Sequence, residues 1–122
     1  PFRSAANIKD ANINRKSYQM NIRNSYNYIN EIKQDLHEGA DAVIIKPALS
    51  YLDIITNVKR EFNVPVIAYS VSGEYAMIKA AAQKNWINEE SIVLETAYSM
   101  VRSGASAIIS YYCLEITKLD NE

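Results

Sequence analysis

One segment of this chain is written twice. Glu38-Gly39-Ala40-Asp41-Ala42-Val43-Ile44-Ile45-Lys46 matches Ser103-Gly104-Ala105-Ser106-Ala107-Ile108-Ile109-Ser110-Tyr111 at nearly every apolar and glycine position. In each copy a glycine precedes a short continuous apolar run, the pattern of a strand buried on both faces of a parallel sheet. The stretch between the copies has room for about two strand–helix units. If both copies are strands of one parallel sheet, Lys46 and Tyr111 take equivalent positions at its C-terminal edge.

The rest of the pattern agrees with that reading. Ile29, Ile32 and Leu36 recur at helical spacing, and Gly39 follows as a C-terminal cap. Leu52, Ile55 and Val58 form a second helical stripe, and Val64-Pro65-Val66-Ile67-Ala68-Tyr69 reads as a strand with proline at its start. Further helices are predicted over 74–84 and 89–102. The predicted strands therefore lie near 42–46, 64–69 and 107–111 and alternate with helices. Such alternation is the mark of an α/β fold with a parallel sheet. Its C-terminal strand ends gather Lys46, the 69–72 segment and Tyr111 on one rim, where β/α barrels carry their chemistry. Three strands cannot close a barrel and would leave two unpaired edges. A flavodoxin-like sheet would also need one or two more strands, so residues 1–122 are read as a fragment of a longer chain with the missing strands upstream, and a (β/α)8 TIM-barrel catalytic domain is the expected whole.

Composition narrows the function. Of 122 residues 48% are hydrophobic, and 13 basic side chains face 14 acidic ones. So balanced a chain has no long-range field to gather phosphates, which argues against nucleic acid or an anionic membrane as a partner. A single cysteine, Cys113, cannot form an internal disulfide, and no cysteine–histidine cluster suits structural zinc. A reducing compartment fits, with Cys113 expected as a small buried residue. No apolar run approaches the roughly 20 residues that span a bilayer, and Pro1-Phe2-Arg3-Ser4 lacks the features of a signal peptide. His37, beside acidic residues near a helix end, reads as an exposed side chain.

Lys46 stands out on physical grounds alone. A lysine directly after four apolar residues must lead its ammonium out of a low-dielectric region, and desolvation favours the neutral, nucleophilic amine. That amine can condense with a ketone, and the resulting iminium acidifies neighbouring C–H bonds. The plainer alternative is a strand-end lysine that snorkels to solvent. Other residues also have plain readings: Ser72 as a helix cap, Tyr111 as core, Arg15-Lys16 as a solvated loop, Gln19 as a backbone anchor.

Longer runs carry a resemblance. Ile44-Ile45-Lys46-Pro47-Ala48 with Tyr51-Leu52-Asp53-Ile54 resembles the Schiff-base segment of the porphobilinogen synthases (delta-aminolaevulinate dehydratases). Val71-Ser72-Gly73-Glu74-Tyr75-Ala76-Met77-Ile78-Lys79-Ala80-Ala81 is similar to a second family stretch, followed by Leu94-Glu95-Thr96 and Ile109-Ser110-Tyr111. Pro1-Phe2-Arg3-Ser4-Ala5-Ala6 and Arg15-Lys16-Ser17-Tyr18-Gln19-Met20 also resemble the family. The resemblance covers essentially the whole chain but only about the last third of a family member, in keeping with the missing strands.

The resemblance implies a lyase of haem and tetrapyrrole synthesis, which joins two delta-aminolaevulinate molecules into porphobilinogen with loss of two waters. Lys46 would form the Schiff base. Ser72 and Tyr111 would hold that substrate's carboxylate, and Tyr69 would form an aromatic wall. Arg3, Arg15 and Gln19 would hold the carboxylate of the second substrate; the interval between the two arginines departs slightly from the family pattern. Glu31 matches the position of a glutamate at an allosteric magnesium site between subunits, while the plain alternative is a surface charge. No organic cofactor is implied. A catalytic divalent metal, magnesium or zinc, a homo-octameric assembly and a location in cytosol or plastid are implied for the complete enzyme. A second active-site lysine belongs upstream, about ten residues before Pro1, where its charge would activate Lys46. The metal-binding loop and the N-terminal arm of the family also lie outside this sequence, so the 122 residues alone are expected to be inactive. Two alternatives stand beside this: a non-catalytic truncated barrel acting in binding or assembly, and a class I aldolase-like enzyme that would share Lys46 but not the runs around it.

Overall fold

The computed structural model describes residues 21–24 and 26–120. Three parallel strands, β1 (Val43–Ile45), β2 (Val66–Tyr69) and β3 (Ala107–Ile109), form one sheet in the order β1-β2-β3. Among the described residues five α-helices accompany them: α1 (Asn27–His37), α2 (Leu52–Glu61), α3 (Ser72–Gln83), α4 (Glu89–Arg102) and α5 (Cys113–Leu119). A short 3-10 turn, Leu49–Tyr51, leads into α2.

The repeated glycines explain the repeated segment. After α1, the Gly39 N–H donates to the Leu36 carbonyl and the Ala40 N–H to that of Asp35; after α4, Gly104 and Ala105 donate to Val101 and Met100 in the same way. Both glycines have positive φ, +102° and +107°. These are two Schellman caps, each turning a helix directly into a strand. The predicted glycine cap of α1 is thus present, with Glu38 as the last residue in the helical region.

Alternation along the strands sorts the side chains into two faces. Val43, Val66 and Ala68 are buried, with Ile45 and Ile108 packed against the same cluster. This face meets Tyr28 and Ile32 of α1, Ile54, Ile55 and Val58 of α2, and Met100 of α4. A second, smaller cluster joins Ile78 of α3, Val93 of α4 and Tyr112. The helices also suit their electrostatics: Asp53 opens α2 and Lys59 and Arg60 close it, while Glu89 and Glu90 open α4 and Arg102 closes it.

Several expectations need correction. The apolar runs were expected to be buried on both faces, yet Ile44 is 53% and Ile109 42% exposed. On this second face Ile44, Ala107 and Ile109 are exposed, while Ile67 and Tyr69 of the central strand are half-buried. The strands are also shorter than predicted at 42–46, 64–69 and 107–111. The ladder opens where the Val43 N–H meets the Pro65 carbonyl and stops at Pro47, which has no N–H to continue it. Tyr111 lies in the turn after β3, where the Ser110 hydroxyl accepts from the Tyr112 N–H. Helix α3 starts at Ser72, two residues before the predicted Glu74. Helix α5 was not anticipated; none of its residues is buried, so it leaves a weak hydrophobic signature. Cys113 opens that helix and is exposed rather than buried. His37 is exposed, as expected.

The register departs from the internal repeat in an informative way. The repeat sets Ile45 opposite Ser110, but the ladder pairs Ile45 with Ala68 and Ala68 with Ile108, two residues earlier. Across the two pairings the slip averages one residue per neighbouring strand. Because the total slip is even, it keeps the helix-facing and open faces distinct.

Candidate active site

Parallel strands present their C-terminal ends on one edge, and the residues singled out above lie there. Lys46 immediately follows β1, Tyr69 ends β2, Ser72 opens α3 two residues beyond Ser70, and Tyr111 follows β3. Carrying the register one residue further sets Lys46 level with Tyr69 and Ile109. The strand-to-loop transitions are tied by main-chain bonds: the Ala48 N–H donates to the Tyr69 carbonyl at 3.1 Å, and the Ser70 N–H to that of Ile109 at 2.9 Å. The Lys46-Pro47 bond is cis.

Two of the sites are joined directly. Ser72 and Tyr111 line one open depression of about 620 Å³ together with Tyr75, Ala76, Lys79 and Gln83. The Tyr111 ring packs on Tyr75 at 5.6 Å between centroids. Its phenol is raised above the ordinary tyrosine pKa, chiefly by hydrogen bonding to the Tyr69 hydroxyl. At 55% exposed, Tyr111 is no core residue. Ser72 is not the cap of α3 either, since Val71 takes the capping position. Lys46 does not line this depression and is exposed, because it emerges on the open face of the sheet. The low-dielectric setting expected around it is not provided by the described residues.

Three residues near this edge were not picked out from sequence. Tyr75 contacts both Tyr111 and Tyr112, the latter at 4.7 Å. The Lys79 ammonium pairs with Glu89 and sits 5.3 Å from the Tyr112 ring centroid. The spacing of Ser72, Tyr75 and Lys79 along α3 is the available signal, since it puts all three on one helix face. The third is Glu74, 1% exposed, whose two carboxylate oxygens accept from the Leu49 N–H at 2.7 Å and the Val71 N–H at 2.6 Å. An acid in the first turn of a helix is too common to have marked it out.

Arg3, Arg15 and Gln19 lie outside the described residues. Glu31 is exposed on α1, and among the described residues no group of three histidine, cysteine, aspartate or glutamate side chains could hold a metal ion. One exposed carboxylate does not make a magnesium centre on its own. No helix among the described residues is long and apolar enough to cross a membrane.

Comparison with known proteins matches residues 1–119 to the family model described as delta-aminolevulinic acid dehydratase. The chain belongs to that family. A Staphylococcus aureus delta-aminolevulinic acid dehydratase (strain COL) is 52% identical over 118 residues, covering 97% of this chain and 36% of its own length. Another from Staphylococcus aureus is 53% identical over 122 residues, covering 99% of this chain and 38% of its own. The chain thus spans little more than a third of these curated dehydratases. Among solved structures, the Toxoplasma gondii delta-aminolevulinic acid dehydratase (porphobilinogen synthase), in complex with its reaction product porphobilinogen, superposes with a TM-score of 0.85. That protein is 43% identical, and the match covers 89% of this chain and 31% of that one.

Proposed function

We propose that these residues are the C-terminal part of a (β/α)8 barrel of porphobilinogen synthase, carrying its Schiff-base lysine. The observation that carries the reading is the shared C-terminal strand edge, on which Lys46, Ser72 and Tyr111 follow successive strands or open the next helix. The two-residue offset from β1 to β3, an average of one per strand, supports the barrel, since a closed eight-stranded barrel of this type has a shear of about eight. Upstream strands would cover Ile44 and Ile109 and desolvate Lys46.

In this reading the neutral Lys46 amine adds to the ketone carbon of one delta-aminolaevulinate, and water leaves as the iminium forms. The iminium draws electrons from the adjacent carbon, so a C–H proton there can be removed and that carbon can join the second substrate. Ser72 and Tyr111 donate their hydroxyl protons to the carboxylate of the Schiff-base substrate, and Tyr69 forms an aromatic wall beside it. Arg3, Arg15 and Gln19 hold the carboxylate of the second molecule. Over the whole condensation two waters are lost and one porphobilinogen forms. A divalent metal belongs to the complete enzyme, and Glu31 would be one ligand of an allosteric magnesium completed by groups outside the described residues. Assembly into homo-octamers and an intracellular location go with this reading.

Reduction with borohydride in the presence of delta-aminolaevulinate, followed by peptide mass mapping of the complete polypeptide, tests it. A substrate adduct on Lys46 is expected. An unlabelled Lys46 in a folded, complete chain would favour the second reading, a non-catalytic barrel piece acting in binding or assembly.

A further inference from the structure

Glu74 has more partners than a helix cap requires. An acid at the third position of a helix commonly reaches back to the N–H of the capping residue, and the Oε2–Val71 bond of 2.6 Å is that contact. Its other oxygen leaves the helix altogether. Oε1 accepts from the N–H of Leu49, in the turn three residues beyond Lys46, at 2.7 Å. A carboxylate that is 1% exposed thus spans two loops, one following the lysine and one preceding Ser72. Among the described residues no cation pairs with it, the one ion pair being Lys79–Glu89. Two main-chain donors and the positive end of α3 compensate its charge.

We propose that Glu74 is a positioning residue that fixes the Lys46 loop against the Ser72 loop, so that the amine and the carboxylate-binding hydroxyls are held at one spacing. This role rests on the reading of Lys46 as the Schiff-base lysine. The chemistry selects a carboxylate: both backbone groups are donors, so the clamp needs two acceptors. A glutamine has one acceptor oxygen and would turn its NH2 toward the other N–H. Glu74 itself touches no reacting atom, because it is 1% exposed and does not line the depression that holds Ser72 and Tyr111.

The test compares E74Q with the unsubstituted complete polypeptide, following thermal stability, kcat, KM and the rate of borohydride-trapped adduct formation at Lys46. E74Q is expected to lower kcat and the trapping rate by about ten- to a hundredfold, well below its melting temperature. KM should change far less. A second variant, V71P, removes the other N–H donor while leaving the carboxylate in place; the Val71 φ of −78° suits proline. It should slow trapping in the same direction but by less. Wild-type trapping rates in E74Q, or in V71P where E74Q does not fold, would overturn the role and leave Glu74 a purely structural buried acid. If the unsubstituted chain itself forms no adduct at Lys46, the functional reading fails, and this role with it.

Discussion

At the scale of single residues, burial and charge pairing set the consequences of substitution. Ile55 is fully buried between α2 and the sheet. I55A in the complete polypeptide is expected to cost about 2–5 kcal/mol, read from urea unfolding, through lost burial and the cavity left behind. Glu89 lies below the usual carboxylate range because Lys79, and then Tyr112, hydrogen-bond its charged form. Its folded value is depressed, so its contribution is present above the ordinary carboxylate range and is lost as pH falls through the folded value. E89Q should therefore flatten the acid side of a melting-temperature profile against pH. The effect is modest, since both partners are about a third exposed at 36% and 34%. Lys79 and Tyr112 shift upward, the first chiefly through its bond to Glu89 and the second chiefly through burial. Their contributions are complete below their ordinary values and disappear only as pH rises through the raised ones, so they leave the acid limb alone. None of this was visible in the sequence, because Lys79 and Glu89 lie on different helices.

At the scale of elements, the two Schellman glycines separate backbone strain from packing. A Cβ at Gly39 would meet nothing within 4 Å, whereas one at Gly104 would come within 2.9 Å of the Lys59 Cγ and 3.1 Å of its Cβ. G39A is expected to cost roughly 1–3 kcal/mol from the positive φ alone. G104A should cost more, by the displacement of Lys59 from α2, and parallel urea titrations of the two variants give the difference. These caps also show why the helix–strand alternation was legible: glycine, helical periodicity and apolar runs are local signals. Helix α5 escaped notice because it buries no residue, and the ladder ended early at Lys46-Pro47 because proline cannot donate. The two extra residues at the start of α3 are explained by Glu74, whose reach back to Val71 anchors the helix at Ser72.

At the scale of the whole molecule, the sheet has one face packed by helices and one open, with Ile44 and Ile109 exposed on it. The isolated 122-residue chain is expected to bind an apolar dye such as ANS and to show negligible synthase activity. The complete polypeptide should do the reverse, as read by dye fluorescence and a colorimetric product assay. The sequence by itself determined the strand–helix order and the capping glycines, since each depends on near neighbours in the chain, and singled out Lys46, whereas the roles proposed for Ser72 and Tyr111 came from the family resemblance. Only the tertiary structure decided the two-residue offset from β1 to β3, the exposed setting of Lys46 and the span of Glu74 between two loops. Those depend on contacts between segments far apart in sequence, where main-chain hydrogen bonding rather than side-chain pattern sets the geometry.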